Sequence, residues 1–218
     1  MADPPPLPPR RRRARPRLTR EEKARLTRDN LLAAGCRVVA AEGYAAASVS
    51  KIAETAGVAQ GTFYNYFEDR QALFDRLLPY EGLRMRAAVE QEARQTPPGM
   101  QREFARFEAF LSYIAANEGF YRVPYEAEIF APQAHRAHLD NIVQGYRRSF
   151  RRSMQQGRMC QLEDRQLDCL IYQILGMRAY AAMQIQSAED PEERRAIRQA
   201  AVEMYRLLMC RGLVEPAG

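Results

Sequence analysis

Residues 60–67 (QGTFYNYF) combine aromatic and polar side chains in a spacing that suits recognition of another surface. In a helix, successive residues are rotated by about 100°, so Phe63 and Phe67 fall on one face. The opposite face is polar and includes a residue without a side chain, which lets the backbone approach a partner closely. The residues on and beside this polar face are Gly61, Thr62, Tyr64 and Asn65. The pattern predicts a helix that is held by its aromatic face and forms hydrogen bonds through the other.

An apolar stripe just before this stretch predicts a partner helix. Its members, spaced i, i+3, i+4 and i+7, are Val49, Ile52, Ala53 and Ala56. Ser48 can cap the start of this helix, and Gly57 can adopt the left-handed conformation that ends it. Two short helices joined by a tight turn have the geometry of a helix-turn-helix, whose second helix enters the DNA major groove. A plain αα-hairpin inside a helical bundle has the same local pattern and is the alternative.

A long first helix is predicted in front of this pair, from Thr19 to Glu42. Thr19 and Glu22 have the spacing of a capping box, and Gly43 provides the stop. The predicted buried stripe of this helix consists of Leu31, Ala34, Gly35, Val38 and Val39. These residues are interpreted as scaffold for the two short helices.

A further helix is predicted to follow Asp69, which is a suitable N-cap. Pro79 falls inside this helix and should kink or split it, because proline lacks a backbone donor and its ring clashes with the preceding turn. The break is predicted at the point where the chain leaves the helix-turn-helix segment.

The N-terminal part of the chain resembles the N-terminal domain of the tetracycline-repressor (TetR) family of bacterial transcriptional regulators. The resemblance covers residues 18–78 and is carried by the runs RDNLLAAGCRVVAAEGY and ASVSKIAETAGVAQGTFYNYFEDRQALF. It implies an all-α fold, with an N-terminal three-helix helix-turn-helix domain and a larger helical regulatory and dimerisation bundle. The implied divisions are an arm at 1–17, a DNA-binding domain at 18–78 and a ligand-binding and dimerisation domain at 79–218.

The resemblance also implies roles for individual residues. Those expected to face the DNA groove are Gly61, Thr62, Tyr64 and Asn65. Those expected at phosphates or at the edge of the groove are Ser48, Lys51, Gln60, Tyr66 and Arg70. Arg70 stands where the family commonly has a phosphate-binding lysine. Asn65 stands where the family often has histidine, so the base preference is not carried over.

The formal net charge of this 218-residue chain is +6. Residues 1–20 contain seven arginines and one aspartate, so they account for the whole excess and the remainder is formally neutral. The proline- and arginine-rich residues 1–17 lack apolar periodicity and are predicted to be a disordered arm. Such an arm contacts phosphates, enters an adjacent minor groove or is a passive tail, and the sequence leaves these alternatives open.

Helical patterns continue after residue 100, and no strand pattern is present. Predicted helices cover 101–117, 133–157, 163–187 and 191–212, with a broken segment at 119–131. Aromatic and apolar side chains with a few polar groups are typical of ligand cavities, although the same residues would also form a plain helical core. The candidate pocket residues are Phe107, Leu111, Tyr125, Ile129, Tyr146, Phe150, Tyr172 and Arg178. Arg122, Glu126, Glu128 and His135 are further polar candidates.

Motifs for catalysis and for metal or cofactor binding are absent from the sequence. It has no glycine-rich phosphate loop, nucleophile elbow or zinc-like spacing, and His135 and His138 lack a third ligand nearby. We therefore predict no catalytic residues, no metal and no cofactor. The four cysteines are predicted to be reduced, packed thiols, with a redox-sensing pair as the alternative. No apolar run approaches the roughly 20 residues of a membrane span, so a cytoplasmic protein without a membrane partner is expected.

Together these features predict a DNA-binding transcriptional regulator, most simply a repressor, that responds to a small-molecule inducer. The resemblance implies that its last two helices form a homodimer, which would bind a palindromic double-stranded operator. The alternatives are a helical enzyme or ligand-sequestering protein with an incidental helix-turn-helix, and a nucleoid-associated DNA binder without an inducer.

Overall fold

The computed structural model describes residues 19–117 and 119–210, which form nine α-helices and no strand. The helices are α1 (Arg20–Ala46), α2 (Val49–Ala56), α3 (Gln60–Tyr64), α4 (Arg70–Ala93), α5 (Met100–Ala116), α6 (Arg122–Phe130), α7 (Pro132–Gln155), α8 (Asp164–Ser187) and α9 (Pro191–Cys210). The predicted all-α fold is confirmed. None of these helices combines the length and apolar character needed to cross a bilayer. The predicted arm at residues 1–17 lies outside the described residues.

The first helix begins as its sequence predicts. The Thr19 hydroxyl accepts a hydrogen bond from the backbone N–H of Glu22 at 3.1 Å, and the Glu22 carboxylate accepts one from the backbone N–H of Thr19 at 2.8 Å. Gly43 interrupts the helix with a φ of 81°, in the left-handed region that favours glycine. One further turn follows, in which Tyr44 is fully buried.

Helix α4 runs through Pro79 without a break, so the predicted split does not occur. Leu77 and Leu78, on the turn before the proline, are buried against the neighbouring helices. Gly35 of α1 permits this close packing, because a Cβ built there would lie 2.8 Å from a methyl group of Leu77. This packing outweighs the roughly 3 kcal/mol that an interior proline costs a helix.

The described chain has two clusters of buried apolar residues. The first joins α1, α2, α3 and the first half of α4, and it also takes in Val123, Ala127, Ala131 and Ala134 from the α6–α7 region. The second joins α5, α7, α8 and α9. The core beneath the helix-turn-helix therefore includes residues far beyond position 78.

Helix α6 is attached to the end of α1 by polar contacts. The Glu126 carboxylate accepts a hydrogen bond from the backbone N–H of Tyr44 at 2.8 Å, and the Tyr44 hydroxyl donates to the carbonyl oxygen of Val123 at 3.2 Å. Arg122 donates to the carbonyl oxygen of Ala41 at 2.8 Å. Arg122 and Glu126 are predicted as pocket residues, but in the structure they fix α6 against the end of α1.

Candidate nucleic-acid interface

The turn between α2 and α3 is fixed at both ends of α2. The Ser48 hydroxyl accepts a hydrogen bond from the backbone N–H of Lys51 at 3.3 Å and caps the start of the helix. Gly57 ends it in the left-handed conformation, with φ 69° and ψ 31°. The side-chain amide of Asn30 on α1 donates to the carbonyl oxygen of Ala56 at 2.7 Å. The turn is thereby held against α1.

Helix α3 is shorter than predicted, because it ends at Tyr64. The backbone N–H groups of Tyr66 and Phe67 both bond to the carbonyl oxygen of Phe63, so a tight turn follows the helix. Phe63 is fully buried and Phe67 nearly so, and their ring centroids lie 5.5 Å apart. The two aromatic residues therefore share one core, although Phe67 reaches it from the turn rather than from the helix.

The predicted contact face is uncovered. Gly61, Tyr64 and Asn65 are exposed, with Tyr64 at 52%, whereas Thr62 is half-buried. A Cβ built at Gly61 would meet no described atom within 4 Å, so that part of the face is open to a partner. The Tyr64 ring packs edge-on against Phe63 at 5.4 Å, which anchors an otherwise exposed side chain.

The residues predicted at the edge of the groove surround this face, and several have protein partners. Ser48 also hydrogen-bonds to the hydroxyl of Ser50 at 2.9 Å. Lys51 forms an ion pair with Glu42 at the surface, and the Arg70 guanidinium lies 5.2 Å from the centroid of the Phe74 ring. Exposed ion pairs contribute little free energy in water, so Lys51 could give up Glu42 and bind a phosphate at little cost in stability. Gln60 is exposed and Tyr66 is half-buried.

The start of α1 contributes to this surface, although its sequence pattern predicts only a scaffold helix. One groove is lined by Arg20, Lys23, Ala24 and Thr27 of α1 together with Asn65 and Tyr66. The signal was present in the sequence, because positions 20, 23, 24 and 27 share one face of a helix. The groove places two cationic side chains beside the end of α3.

A family model described as "Bacterial regulatory proteins, tetR family" matches residues 31–77, from the buried stripe of α1 to the first half of α4. The N-terminal domain belongs to the tetR family. Helix α3, which carries the exposed face, is thus the second helix of the helix-turn-helix in this tetR-family domain, as the resemblance implied.

Similar proteins extend the comparison beyond this domain. The HTH-type transcriptional activator FasR of Mycolicibacterium smegmatis is 33% identical over 110 residues, which are 50% of this chain and 48% of that protein. The match therefore spans about half the length of this curated relative.

Solved structures of transcriptional regulators cover most of the chain. FadR of Bacillus subtilis in complex with stearoyl-CoA is 20% identical, with a TM-score of 0.68 over 85% of this chain and 98% of that one. A putative TetR-family transcriptional regulator from Syntrophomonas wolfei is 16% identical, with a TM-score of 0.71 over 88% of this chain and 98% of that one. At these identities the comparison shows a shared fold in both the tetR-family domain and the helical bundle behind it.

Five of the eight candidate pocket residues gather in the second core, around a buried carboxylate. They are Phe107, Leu111, Tyr146, Phe150 and Arg178. Tyr125, Ile129 and Tyr172 lie at the surface instead, with Ile129 77% exposed. The inward positions of α6 are taken by Val123 and Ala127, which pack into the first core. On α8 the inward positions next to Tyr172 are taken by Ile171 and Ile174.

The buried carboxylate at the centre of this cluster belongs to Glu103, which is 4% exposed. It accepts hydrogen bonds from the hydroxyls of Tyr146 at 3.0 Å and Tyr205 at 3.3 Å, and it pairs with Arg178 at 3.2 Å. Burial raises the pKa of both tyrosines, so their hydroxyls stay protonated as donors. Arg178 Nε has no hydrogen-bond partner among the described residues. The network joins α5, α7, α8 and α9.

The histidines and cysteines form no metal site within the described residues, where no group of three His, Cys, Asp or Glu side chains could hold an ion. The ring of His138 instead packs against Gly82 of α4, and burial lowers its pKa. Cys36 is buried, as predicted, and burial raises the pKa of its thiol. The prediction of packed thiols is wrong for the other three: Cys160, in the loop after α7, and Cys169 and Cys210, on α8 and α9, are exposed to solvent.

Proposed function

We propose that this protein is a ligand-responsive transcriptional regulator that binds a palindromic DNA operator as a homodimer. The observation that carries the proposal is the uncovered polar face of α3, presented by a tetR-family domain whose aromatic side is locked into the core. A helix held in this way can enter the major groove without unfolding its support.

The chemistry of the face fits DNA. The hydroxyls of Thr62 and Tyr64 and the amide of Asn65 donate and accept hydrogen bonds, as base edges require. Gly61 lets the backbone approach the groove. The surrounding groups suit phosphates, which set position rather than sequence. They are Ser48, Lys51, Gln60, Tyr66 and Arg70, together with Arg20 and Lys23 of α1.

The homodimer is supported by an apolar face on the last two helices. Tyr172, Tyr180 and Met183 are exposed along α8, and Met204 and Leu207 are exposed along α9. Exposed apolar residues that follow one another along neighbouring helices are typical of interfaces. Helices α8 and α9 of one protomer and of its partner would form a four-helix contact with two-fold symmetry, which presents two α3 helices to a palindrome.

A small-molecule inducer is expected to act through the helical bundle, and the solved complex of the FadR neighbour with stearoyl-CoA supports a regulator that responds to a ligand. We propose repression as the sign of regulation, in which ligand binding releases the operator. Activation is the second candidate, because the relative FasR is named a transcriptional activator. A reporter gene placed behind the operator distinguishes them, since deletion of the regulator raises expression under repression and lowers it under activation.

Substitutions on the contact face test the proposed DNA interface. Thr62→Ala and Tyr64→Ala should each weaken specific binding by about 1–3 kcal/mol if their hydroxyls contact base edges. Affinity is measured by fluorescence anisotropy on a duplex enriched from a random DNA pool. Gln144→Ala, at an exposed position on α7, is the control and should bind as the wild type does. Wild-type affinity in both Thr62→Ala and Tyr64→Ala would refute the assignment of this face.

A further inference from the structure

One side chain in the second core has a hydrogen-bond donor that the described protein does not use. Arg178 lies on α8, and its side chain is only 16% exposed. Its Nη2 donates to Glu103 Oε1 at 3.2 Å, whereas its Nε is the one buried side-chain nitrogen or oxygen without a hydrogen-bond partner among the described residues. Buried polar groups are almost always bonded, so this N–H requires an acceptor.

Two other arginines in the molecule use both arms of the same planar fork. Arg106 donates from Nε and Nη2 to the two oxygens of Glu90, at 2.7 and 3.2 Å. Arg147 donates from the same two groups to the two oxygens of Asp168. Arg178 uses only one arm of its fork, although a guanidinium is built to bind two acceptor oxygens side by side. The second acceptor oxygen is one that the described residues do not supply.

The charges around this fork are already balanced, which limits the kind of acceptor that fits. The cluster contains the two guanidiniums of Arg106 and Arg178 and the two carboxylates of Glu90 and Glu103. An anionic ligand would add a third carboxylate without a matching cation, and an unmatched charge inside a core is costly. The Nε–H group can only donate, so a second donor does not fit either. A neutral oxygen, such as that of a carbonyl group, meets both requirements.

The surroundings of the guanidinium suit an apolar ligand. The ring centroids of Phe107, Phe110 and Tyr146 lie within 6.0 Å of its central carbon. Phe110 and Tyr146 are only half-buried, so the guanidinium lies close beneath the surface. Room for a ligand can come from methionines that pack, partly buried, against the same core, because methionine adapts its shape easily. These methionines include Met85, Met177 and Met209.

We propose that Arg178 Nε is the polar anchor of the inducer site, and that the inducer is an apolar molecule with a neutral carbonyl group, as in an ester, thioester, ketone or amide. The carbonyl oxygen accepts a hydrogen bond from Nε while Nη2 stays on Glu103, so the ion pair is kept. The inference rests on the proposed function, because it assigns the ligand of a ligand-responsive regulator. A free carboxylic acid of the same chain length binds more weakly, because its carboxylate brings an unmatched charge.

Matched pairs of probes test the anchor in the wild-type protein. The panel consists of the methyl esters of the straight-chain acids from butanoate to dodecanoate, of benzoate and of phenylacetate, each with its free carboxylate. The readout is the nitrogen–proton NMR signal of Arg178 Nε, which is assigned by its absence from the Arg178→Lys variant. At least one ester should move this proton signal downfield as the hydrogen bond forms. The Arg147 Nε signal is the internal control and should stay in place, because Asp168 already accepts from it.

Affinities measured by isothermal titration calorimetry test the same contact. Arg178→Lys keeps a positive charge beside Glu103 but lacks Nε. It should bind the tightest ester about 10- to 100-fold more weakly, as expected from the loss of one hydrogen bond to a charged group. Arg147→Lys makes the same change at an arginine whose fork is fully used, and it should bind as the wild type does. Circular dichroism melting curves show whether each variant is folded, and the NMR result on the wild type decides the matter if Arg178→Lys is not.

The remaining outcomes separate this inference from the proposed function. A carboxylate that binds more tightly than its ester would overturn the assignment of a neutral carbonyl. An Nε signal that no member of the panel moves would overturn the anchor, and a palindrome enriched from a random DNA pool by the same protein would then leave the proposed function intact. If an ester moves the Nε signal but no duplex is enriched, the regulatory function fails and the carbonyl site remains as that of a ligand-sequestering protein.

Discussion

Phe63→Ala should lower the free energy of unfolding by about 3–5 kcal/mol, because it empties a fully buried aromatic site. Phe63 also contributes to stability by holding helix α3 in place. Helix α3 has five residues, Gln60–Tyr64, and isolated helices shorter than about 12 residues are marginal in water. The packing of Phe63 therefore holds the whole helix in place. Urea unfolding followed by circular dichroism measures the loss.

Tyr64→Ala is the matched control, because it removes an exposed aromatic ring from the same helix. We expect a stability loss of about 1 kcal/mol, which comes from the lost edge-on contact with the Phe63 ring. DNA affinity should fall in both variants, but for different reasons: Phe63→Ala disorders the support, whereas Tyr64→Ala removes a contact. A loss below about 1 kcal/mol for Phe63→Ala would mean that α3 is not held by its aromatic core.

Arg178→Met should cost about 3 kcal/mol, because it removes the closer of the two cationic partners of the buried Glu103 carboxylate and leaves only Arg106, at 3.8 Å. Methionine retains much of the apolar stem that packs near the rings of Phe107, Phe110 and Tyr146, so lost packing contributes less than the lost ion pair. The free energy of unfolding at neutral pH is the measurement.

The double variant Glu103→Leu with Arg178→Met separates the energetic cost of the lost charge pairing from the cost of the lost packing. Replacing both partners removes the buried charge altogether, so the double variant should be more stable than Arg178→Met alone. If the two proteins have equal stability, the cost of the single substitution comes from packing and not from the buried charge. The contact face of α3 should be unaffected in either protein at temperatures where the protein is folded.

Helix ends were predictable from the sequence, because they depend on side chains that bond to backbone only three or four residues away. The Thr19 capping box and the Asp69 cap, which accepts from the backbone N–H of Ala72 at 2.7 Å, both form. Gly43 and Gly57 adopt the positive φ values that their positions required. The burial of Phe63 and Phe67 and the exposure of Tyr64 and Asn65 followed from the same local pattern, because aromatic and polar residues occupy different sides of residues 60–67.

Features that depend on contacts between distant segments were not predictable. The docking of Glu126 on the backbone of Tyr44 joins residues that are 82 positions apart, and nothing in either local sequence indicates it. Helical periodicity showed that α6 and α8 have apolar faces, but it could not tell which face a neighbour covers. Tyr125, Ile129 and Tyr172 were therefore placed in a pocket, although the structure leaves them exposed. The uninterrupted course of α4 through Pro79 likewise depends on packing against α1.

Enrichment of bound duplexes from a random DNA pool tests the central claim most directly. The full chain should enrich a single motif with two-fold symmetry, because a dimer presents two copies of α3 related by a two-fold axis. The same selection with the Thr62→Ala, Tyr64→Ala double variant should enrich that motif weakly or not at all. Enrichment of an asymmetric motif, or of the same palindrome at equal strength by the double variant, would contradict the assignment of α3 as the recognition helix of a homodimer.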